Sequence, residues 1–254
     1  MTEISDQLLQ LEEELKNIPL KEALQLVAAR FPGETAFSTS FGMEDQVITH
    51  VVGKNKIPIK VFTLDTGRMF NETYEVWSAT ANVFDLNIDP FYPDAEEIQD
   101  FVNKRGINSM YLSVDNRKEC CRIRKIEPLK RALKGVAVWV TGVRAAQSLN
   151  RQNFKMFEWD EAFGLIKFNP LLHWSDQDVA DFIHQNNTPY NKLHDQGFLS
   201  IGCAPCTRAV QFGEDARAGR WWWEDSKKEC GLHETKVMAD ITDPELTQQN
   251  DLHS

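Results

Sequence analysis

Between residues 35 and 168, short runs rich in β-branched and apolar residues alternate with segments of helical period. This alternation restricts the fold more than any other feature of the chain. Runs at 35–39, 59–64, 86–92, 136–141 and 165–168 read as strands. Segments 43–52 and 69–84, one opening at Asp94, and 122–133 read as helices. Ser175 caps a further helix over 175–185, with Asp178 three positions on. Upstream, Leu8, Leu11, Leu15 and Leu24 lie at helical spacing within 4–30, and Pro19 starts a second helix there. Strands alternating with helices make βαβ units, so the expected class is α/β, a parallel twisted sheet with helices on both faces. Ligands of such sheets bind beyond the carboxyl ends of the strands. That rule selects three mouth loops, 38–45, 65–68 and 141–144.

At 254 residues the chain suffices for one sizeable α/β domain or two small ones. It contains no internal repeat and no low-complexity linker, and residues 235–254 read as a polar, loosely ordered tail. No run approaches the ~20 apolar residues of a membrane span, and the N-terminus lacks the basic and apolar regions of a signal peptide. A cytoplasmic location is therefore expected, where stable disulfides are rare and paired cysteines point to metal or redox work. The formal net charge of -10 argues against broad nucleic-acid binding.

The five cysteines fall into a pattern. Cys120 and Cys121 are adjacent, Cys203 and Cys206 form a C-x-x-C, and Cys230 stands apart in Glu229-Cys230-Gly231-Leu232-His233. Two close thiolate pairs make a ligand set for one metal centre. The remaining thiol is a candidate nucleophile. Other readings of the pairs are a structural zinc, two buried small hydrophobes at 120–121, and a redox-active pair at 203–206. Around the first pair, Arg117, Lys118, Arg122, Arg124, Lys125, Lys130, Arg131 and Lys134 face only Glu119 and Glu127. Such a basic stretch is either a solvated helix face or the compensation for thiolates and a nearby anion.

The mouth loops suit an anion. Ser40-Phe41-Gly42-Met43-Glu44-Asp45 brings small hydroxyl residues and a glycine to a helix N-terminus. Leu64-Asp65-Thr66-Gly67 makes a tight turn at a strand end, and Thr141-Gly142-Val143-Arg144 continues to Gln147, Ser148 and Arg151. Arginines at a strand mouth can grip phosphate bidentately. Together the three loops favour an anionic nucleotide.

Order and spacing of these motifs resemble one family. They are Ser40-Phe41-Gly42 with Glu44-Asp45, Leu64-Asp65-Thr66-Gly67, and Cys120-Cys121-x-x-Arg124-Lys125 leading to Pro128-Leu129. Thr141-Gly142-x-Arg144 with Gln147-Ser148 and Cys203-x-x-Cys206-Thr207-Arg208 follow. The last are Gly219-Arg220-Trp221-Trp222-Trp223-Glu224 and Glu229-Cys230-Gly231-Leu232-His233. From about residue 37 to residue 234 the chain is similar to the iron–sulfur assimilatory adenylyl-sulfate reductases, within the phosphoadenylyl-sulfate reductase family. Relatives acting on the 3′-phosphorylated nucleotide usually lack the two cysteine pairs.

The resemblance implies an adenine-nucleotide α-hydrolase-like domain, related to ATP pyrophosphatases, over 1–234. Its nucleotide core spans about 30–215, and a flexible catalytic segment covers about 216–234. It implies a [4Fe-4S] cluster on Cys120, Cys121, Cys203 and Cys206, and the conversion of adenylyl sulfate and reduced thioredoxin into sulfite, AMP and oxidised thioredoxin, in sulfate assimilation for cysteine biosynthesis. Cys230 is then the catalytic nucleophile, carrying a thiosulfonate. Ser40, Gly42, Asp45, Leu64, Thr66 and Gly67 are expected to bind the nucleotide. Lys125, Arg144, Arg217 and Arg220 are expected to neutralise the phosphosulfate, and His233 to lie beside the substrate or tune Cys230. The tail from about 225 to 234 is expected to swing over the mouth and back.

One departure is Ala145, where the family often has a second basic residue. The tryptophan run at 221–223 reads as packing or a subunit contact in preference to stacking on adenine, which leaves a homo-oligomer open. Histidines 50, 173, 184 and 194 read as core or surface residues. Rival functions are an RNA-thiolation enzyme of the same fold, a non-catalytic iron–sulfur sensor, and use of the 3′-phosphorylated substrate as well. The first would want a Ser-Gly-Gly-x-Asp-Ser loop, which 40–45 does not supply.

Overall fold

A computed structural model describes residues 2–147, 151 and 153–224. Helices α1 (Thr2–Leu15) and α2 (Leu20–Arg30) precede β1 (Thr35–Ser38), α3 (Met43–Lys54), β2 (Lys60–Leu64), α4 (Asn71–Phe84), β3 (Ile88–Phe91) and α5 (Ala95–Arg105). Then come α6 (Val114–Cys121), a π-helical turn (Arg122–Ile126), α7 (Glu127–Ala132), β4 (Val138–Val140), β5 (Phe157–Asp160), β6 (Leu165–Phe168) and α8 (Asp176–Gln185). The expected capping box of α8 is present, with Ser175 and Asp178 bonding each other's backbone.

The sheet order is β3-β2-β1-β4-β6-β5. Neighbours are parallel, except that β5 pairs antiparallel with β6. The expected parallel sheet is thus present, with one further strand, β5, added antiparallel at its edge. Phe157-Glu158-Trp159-Asp160 has strand alternation but only four residues, and it returns to β6 through a turn in which Gly164 takes φ 64°.

Both faces are covered, as expected. Phe37, Val61, Val138, Val140, Ile166 and Phe168 point into the larger core with residues of α1–α4 and α8. Their strand neighbours Ala36, Phe62, Trp139 and Leu165 point to the other face, against Leu129 of α7 and Leu133 just beyond it. The period of two along each strand builds two cores on one sheet.

The chain runs outward through β1, β2 and β3, then crosses to β4 on the other side of β1. The carboxyl ends of β1 and β4 therefore flank a topological switch point, where open α/β sheets place ligands.

Candidate active site

The β1 loop is fixed from within. Ser40 donates its backbone N–H and hydroxyl to Asp45 Oδ2, at 2.6 and 2.7 Å. Burial pushes the Asp45 carboxyl up to about 6, against the lowering effect of these hydrogen bonds. Phe41 takes a left-handed conformation, φ 61°, and is held there by burial and by stacking on Trp77. A Cβ on Gly142 would come 2.2 Å from Asp45 Oδ1, so glycine is required where the β4 loop crosses the β1 loop. In the β2 loop, Gly67 has φ 67° and donates its N–H to Asp65 Oδ1. It closes the turn and is absent from the cleft wall, where a nucleotide contact was expected.

The loops open onto a cleft of about 660 Å³. Ser40, Gly42, Asp45, Leu64, Thr66, Lys125, Arg144, Arg217 and Arg220, all expected at the substrate, line it. A volume of this order suits a nucleotide. Arg144, however, does not present a free guanidinium. Its Nε and Nη2 donate to Glu44 Oε1 at 2.9 and 2.7 Å, Nη2 to Asp176 at 2.6 Å, and Nη1 to the Trp174 carbonyl. Arg144 thus lines the cleft as part of an ion-paired wall. The site also holds residues beyond those named as substrate contacts, two of them from the 141–151 mouth segment. Gln147 and the buried Arg151 line the cleft and bond each other, and His184 and His194, read from sequence as core or surface, line it too. Arg151 carried a signal, a cation seven residues past Arg144 in the same mouth segment. The isolated histidines carried none. His50 is a core histidine as expected, with Nδ1 2.8 Å from Thr188 Oγ1 and its ring edge-on to Phe84 and Phe182.

Beside the cleft, Cys120, Cys121, Cys203 and Cys206 line a second, smaller cavity with Arg68, Arg117, Arg124, Lys125, Arg220 and Trp221. Cys120 and Cys121 end α6, where the chain widens into the π-helical turn that carries Lys125; such bulges recur at functional sites. The expectation of one helix over 122–133 is corrected here to the π turn and α7, with α6 running directly into them. The Cys203 loop is tied to the β2 loop by Ala204 N–H donating to the Arg68 carbonyl at 2.8 Å, and Cys203 Sγ lies 3.3 Å from Thr66 Oγ1. Burial raises the Cys120 thiol, and burial together with Cys203 raises Cys206 to about 11. Arg124, near Cys120, and Lys125 and Arg220, near Cys206, act in the opposite direction. Thiols crowded in this way resist ionising one at a time, whereas a bound metal centre deprotonates its ligands outright.

Among the described residues, no three Cys, His, Asp or Glu side chains converge as ligands of a single ion do. The four cysteines instead line a shared cavity together with cationic side chains. This donor set fits an anionic thiolate-held cluster in chemical type. Cys230, His233 and Ser148, with segments 225–234 and 235–254, lie outside the described residues.

Trp221 is buried between the guanidinium groups of Arg117 and Arg220, 4.8 and 4.9 Å from its ring centre. Arg117 forms a bidentate ion pair with Glu224, at 2.7 and 3.0 Å, and also hydrogen-bonds Cys121. Lys125, Cys203 and Arg220 each line both cavities. The cysteine cavity and the cleft therefore share a wall.

The chain matches known proteins over most of its length. It is 51% identical to an adenosine 5′-phosphosulfate reductase of Allochromatium vinosum over 198 residues, 78% of this chain and 77% of that one. It is 46% identical to one of Sinorhizobium fredii over 232 residues, covering 91% and 92%. The structure superposes on a phosphoadenylyl-sulfate reductase of Candida auris, solved as a phosphate complex, with TM-score 0.67 and 31% identity over 77% of this chain and 93% of that one. An FMN adenylyltransferase of Candida glabrata, at 16% identity, covers 88% of this chain and 82% of that one with TM-score 0.52, and shares the fold. With the phosphoadenosine phosphosulfate reductase domain profile matching residues 34–209, and the switch-point loops opening onto the cleft, the chain belongs to the phosphoadenosine phosphosulfate reductase family.

Proposed function

We propose that this chain reduces adenylyl sulfate to sulfite and AMP with electrons from thioredoxin, as a step of assimilatory sulfate reduction, and that residues 1–234 form one domain for this reaction. The observation that carries the reading is the wall common to the nucleotide cleft and the four-cysteine cavity, built by Lys125, Cys203 and Arg220. The names of the relatives agree with the substrate.

In this reading the nucleotide lies across the Ser40–Gly42 loop at the N-terminus of α3, whose free N–H groups favour negative charge. The phosphosulfate end faces Lys125, Arg217 and Arg220. The Cys230 thiolate attacks the sulfate sulfur, the sulfur–oxygen bond to the phosphate breaks, and AMP leaves with the electron pair. Cys230 now carries a sulfonate on its sulfur. A thioredoxin thiolate attacks Cys230 Sγ, and sulfite leaves with the electron pair of the sulfur–sulfur bond. The second thioredoxin thiol closes its disulfide and returns Cys230 as a thiolate. An incoming anion meeting an anionic substrate needs cations. At an effective dielectric of about 20, each unit charge about 4 Å away is worth roughly 4 kcal/mol. Arg144 serves the wall through its bonds to Glu44 and Asp176, and Asp45 holds Ser40 in place.

Cys120, Cys121, Cys203 and Cys206 would hold a [4Fe-4S] cluster, which supplies a fixed charge and cross-link beside the substrate while thioredoxin supplies both electrons. The basic residues around the cavity offset that charge.

The test is anaerobic purification followed by a sulfite assay with thioredoxin on adenylyl sulfate and on its 3′-phosphorylated form, with iron and zinc measured on the same sample. The expected result is sulfite from adenylyl sulfate and about four irons per chain. Absence of sulfite from either nucleotide would refute the reading, and a zinc-loaded preparation with full rate would refute the cluster.

A further inference from the structure

We propose that an exposed apolar patch beside the cysteine cavity, formed by Ile107, Tyr111, Leu112, Val114 and Trp222, is the docking surface for the protein dithiol that reduces the enzyme. The proposal rests on the functional reading above and identifies where its reductant lands. Trp221 points inward, but Trp222 is 39% exposed; Tyr111, its ring centre 6.3 Å from that of Trp222, joins it to the 107–114 segment, where Ile107, Tyr111, Leu112 and Val114 are 54%, 41%, 77% and 39% exposed. The patch is built rather than frayed. Tyr111 packs edge-on to Trp223 at 4.5 Å, Trp223 packs edge-on to Trp222 at 4.8 Å, and the Tyr111 hydroxyl donates to the carbonyl of Pro205, inside the Cys203–Cys206 loop. A rigid aromatic rim of this kind marks an interaction site on a soluble surface.

Chain connectivity chooses the occupant. Glu224 is fixed by its buried ion pair with Arg117, and Cys230 follows six residues later. Six extended residues span at most about 20 Å. A protein thiol attacking Cys230 must therefore come within that distance of Glu224, two residues from Trp222. A standard protein interface covers about 800 Å² on each partner, an area large enough for a dithiol protein reaching Cys230 to cover the patch as well. A small dithiol has no such need.

Two variants test this in the full-length, anaerobically purified protein, Trp222→Ala and Leu112→Asp; the second alters a residue too exposed to affect folding. Sulfite release is measured against thioredoxin concentration and, separately, with dithiothreitol as reductant, alongside AMP affinity and oligomeric state. The expected result in each variant is a KM for thioredoxin raised about tenfold, with the dithiothreitol-driven rate and AMP affinity unchanged. An unchanged KM for thioredoxin overturns the proposal, as does an equal loss with dithiothreitol. Dissociation of an oligomer with the thioredoxin KM intact overturns it too, and assigns the patch to a second copy of the chain. A wild-type chain that makes no sulfite with either reductant refutes the functional reading and the docking surface together. Wild-type turnover with unaltered variants refutes the docking surface alone.

Discussion

Replacing Glu224 by alanine should destabilise the protein far more than loss of an ordinary surface ion pair. The side chains of Arg117 and Glu224 are only 11% and 5% exposed, and their two hydrogen bonds are bidentate. Exposed pairs contribute about 0–1 kcal/mol. Removing one partner of a buried pair costs about 3–5 kcal/mol, because a charge is left uncompensated in a poorly solvated place. Arg117 would keep its bond to Cys121 and its contact with the Trp221 ring, which puts the expected loss at the lower end, about 3 kcal/mol. For a chain of this size that is a fall in Tm of roughly 6–12 °C. The assay is thermal and urea unfolding of anaerobically purified protein, with iron content recorded. The double variant Arg117→Met with Glu224→Leu removes both charges and should lose less than Glu224→Ala alone. A loss below about 1 kcal/mol for Glu224→Ala, or a double variant worse than the single by the full additive amount, would refute the view that this pair clamps the 220–224 segment to α6.

Two further outcomes follow from the β1 loop. Asp45 has its folded value raised to about 6 from 3.8, so the native state holds its proton more tightly than the unfolded chain does. Stability should therefore fall as pH rises from about 4 to about 6, by up to roughly 3 kcal/mol from this group. Asp45→Asn should flatten that slope in urea titrations, and parallel pH curves for the two proteins would contradict it. Gly142→Ala drives a methyl group into Asp45 Oδ1 and should weaken AMP binding about tenfold, equivalent to about 1.4 kcal/mol. An unchanged titration would show that the crossing of the two loops does not shape the cleft.

Much of this architecture was readable because each inner strand is apolar on both faces. Val61-Phe62 and Val138-Trp139-Val140 bury residues on alternate sides into two separate cores, and a continuous apolar run is the mark of a strand covered twice. Strand β5 escaped notice because it is a short edge, with Glu158 and Trp159 only half-buried. Helix α6 escaped because it has almost no apolar face; its buried residue is Arg117, whose partner Glu224 lies 107 positions away. No local pattern encodes such a pairing. The site divides in the same way. Cysteine spacing and the mouth loops follow from chemistry that demands those residue types, so they could be read directly. The occupation of Arg144 by Glu44 and Asp176 depends on how α3 and α8 sit against the β4 loop, which is a property of the packed molecule. His194 lines the cleft for the same reason.

The most direct test of the division of work among the cysteines is Cys230→Ser, assayed for sulfite, for an S-sulfonated cysteine by mass spectrometry, and for iron with its visible absorbance. The account predicts that sulfite and the adduct disappear while iron and colour remain at wild-type levels. Continued turnover, or loss of iron together with activity, would contradict it.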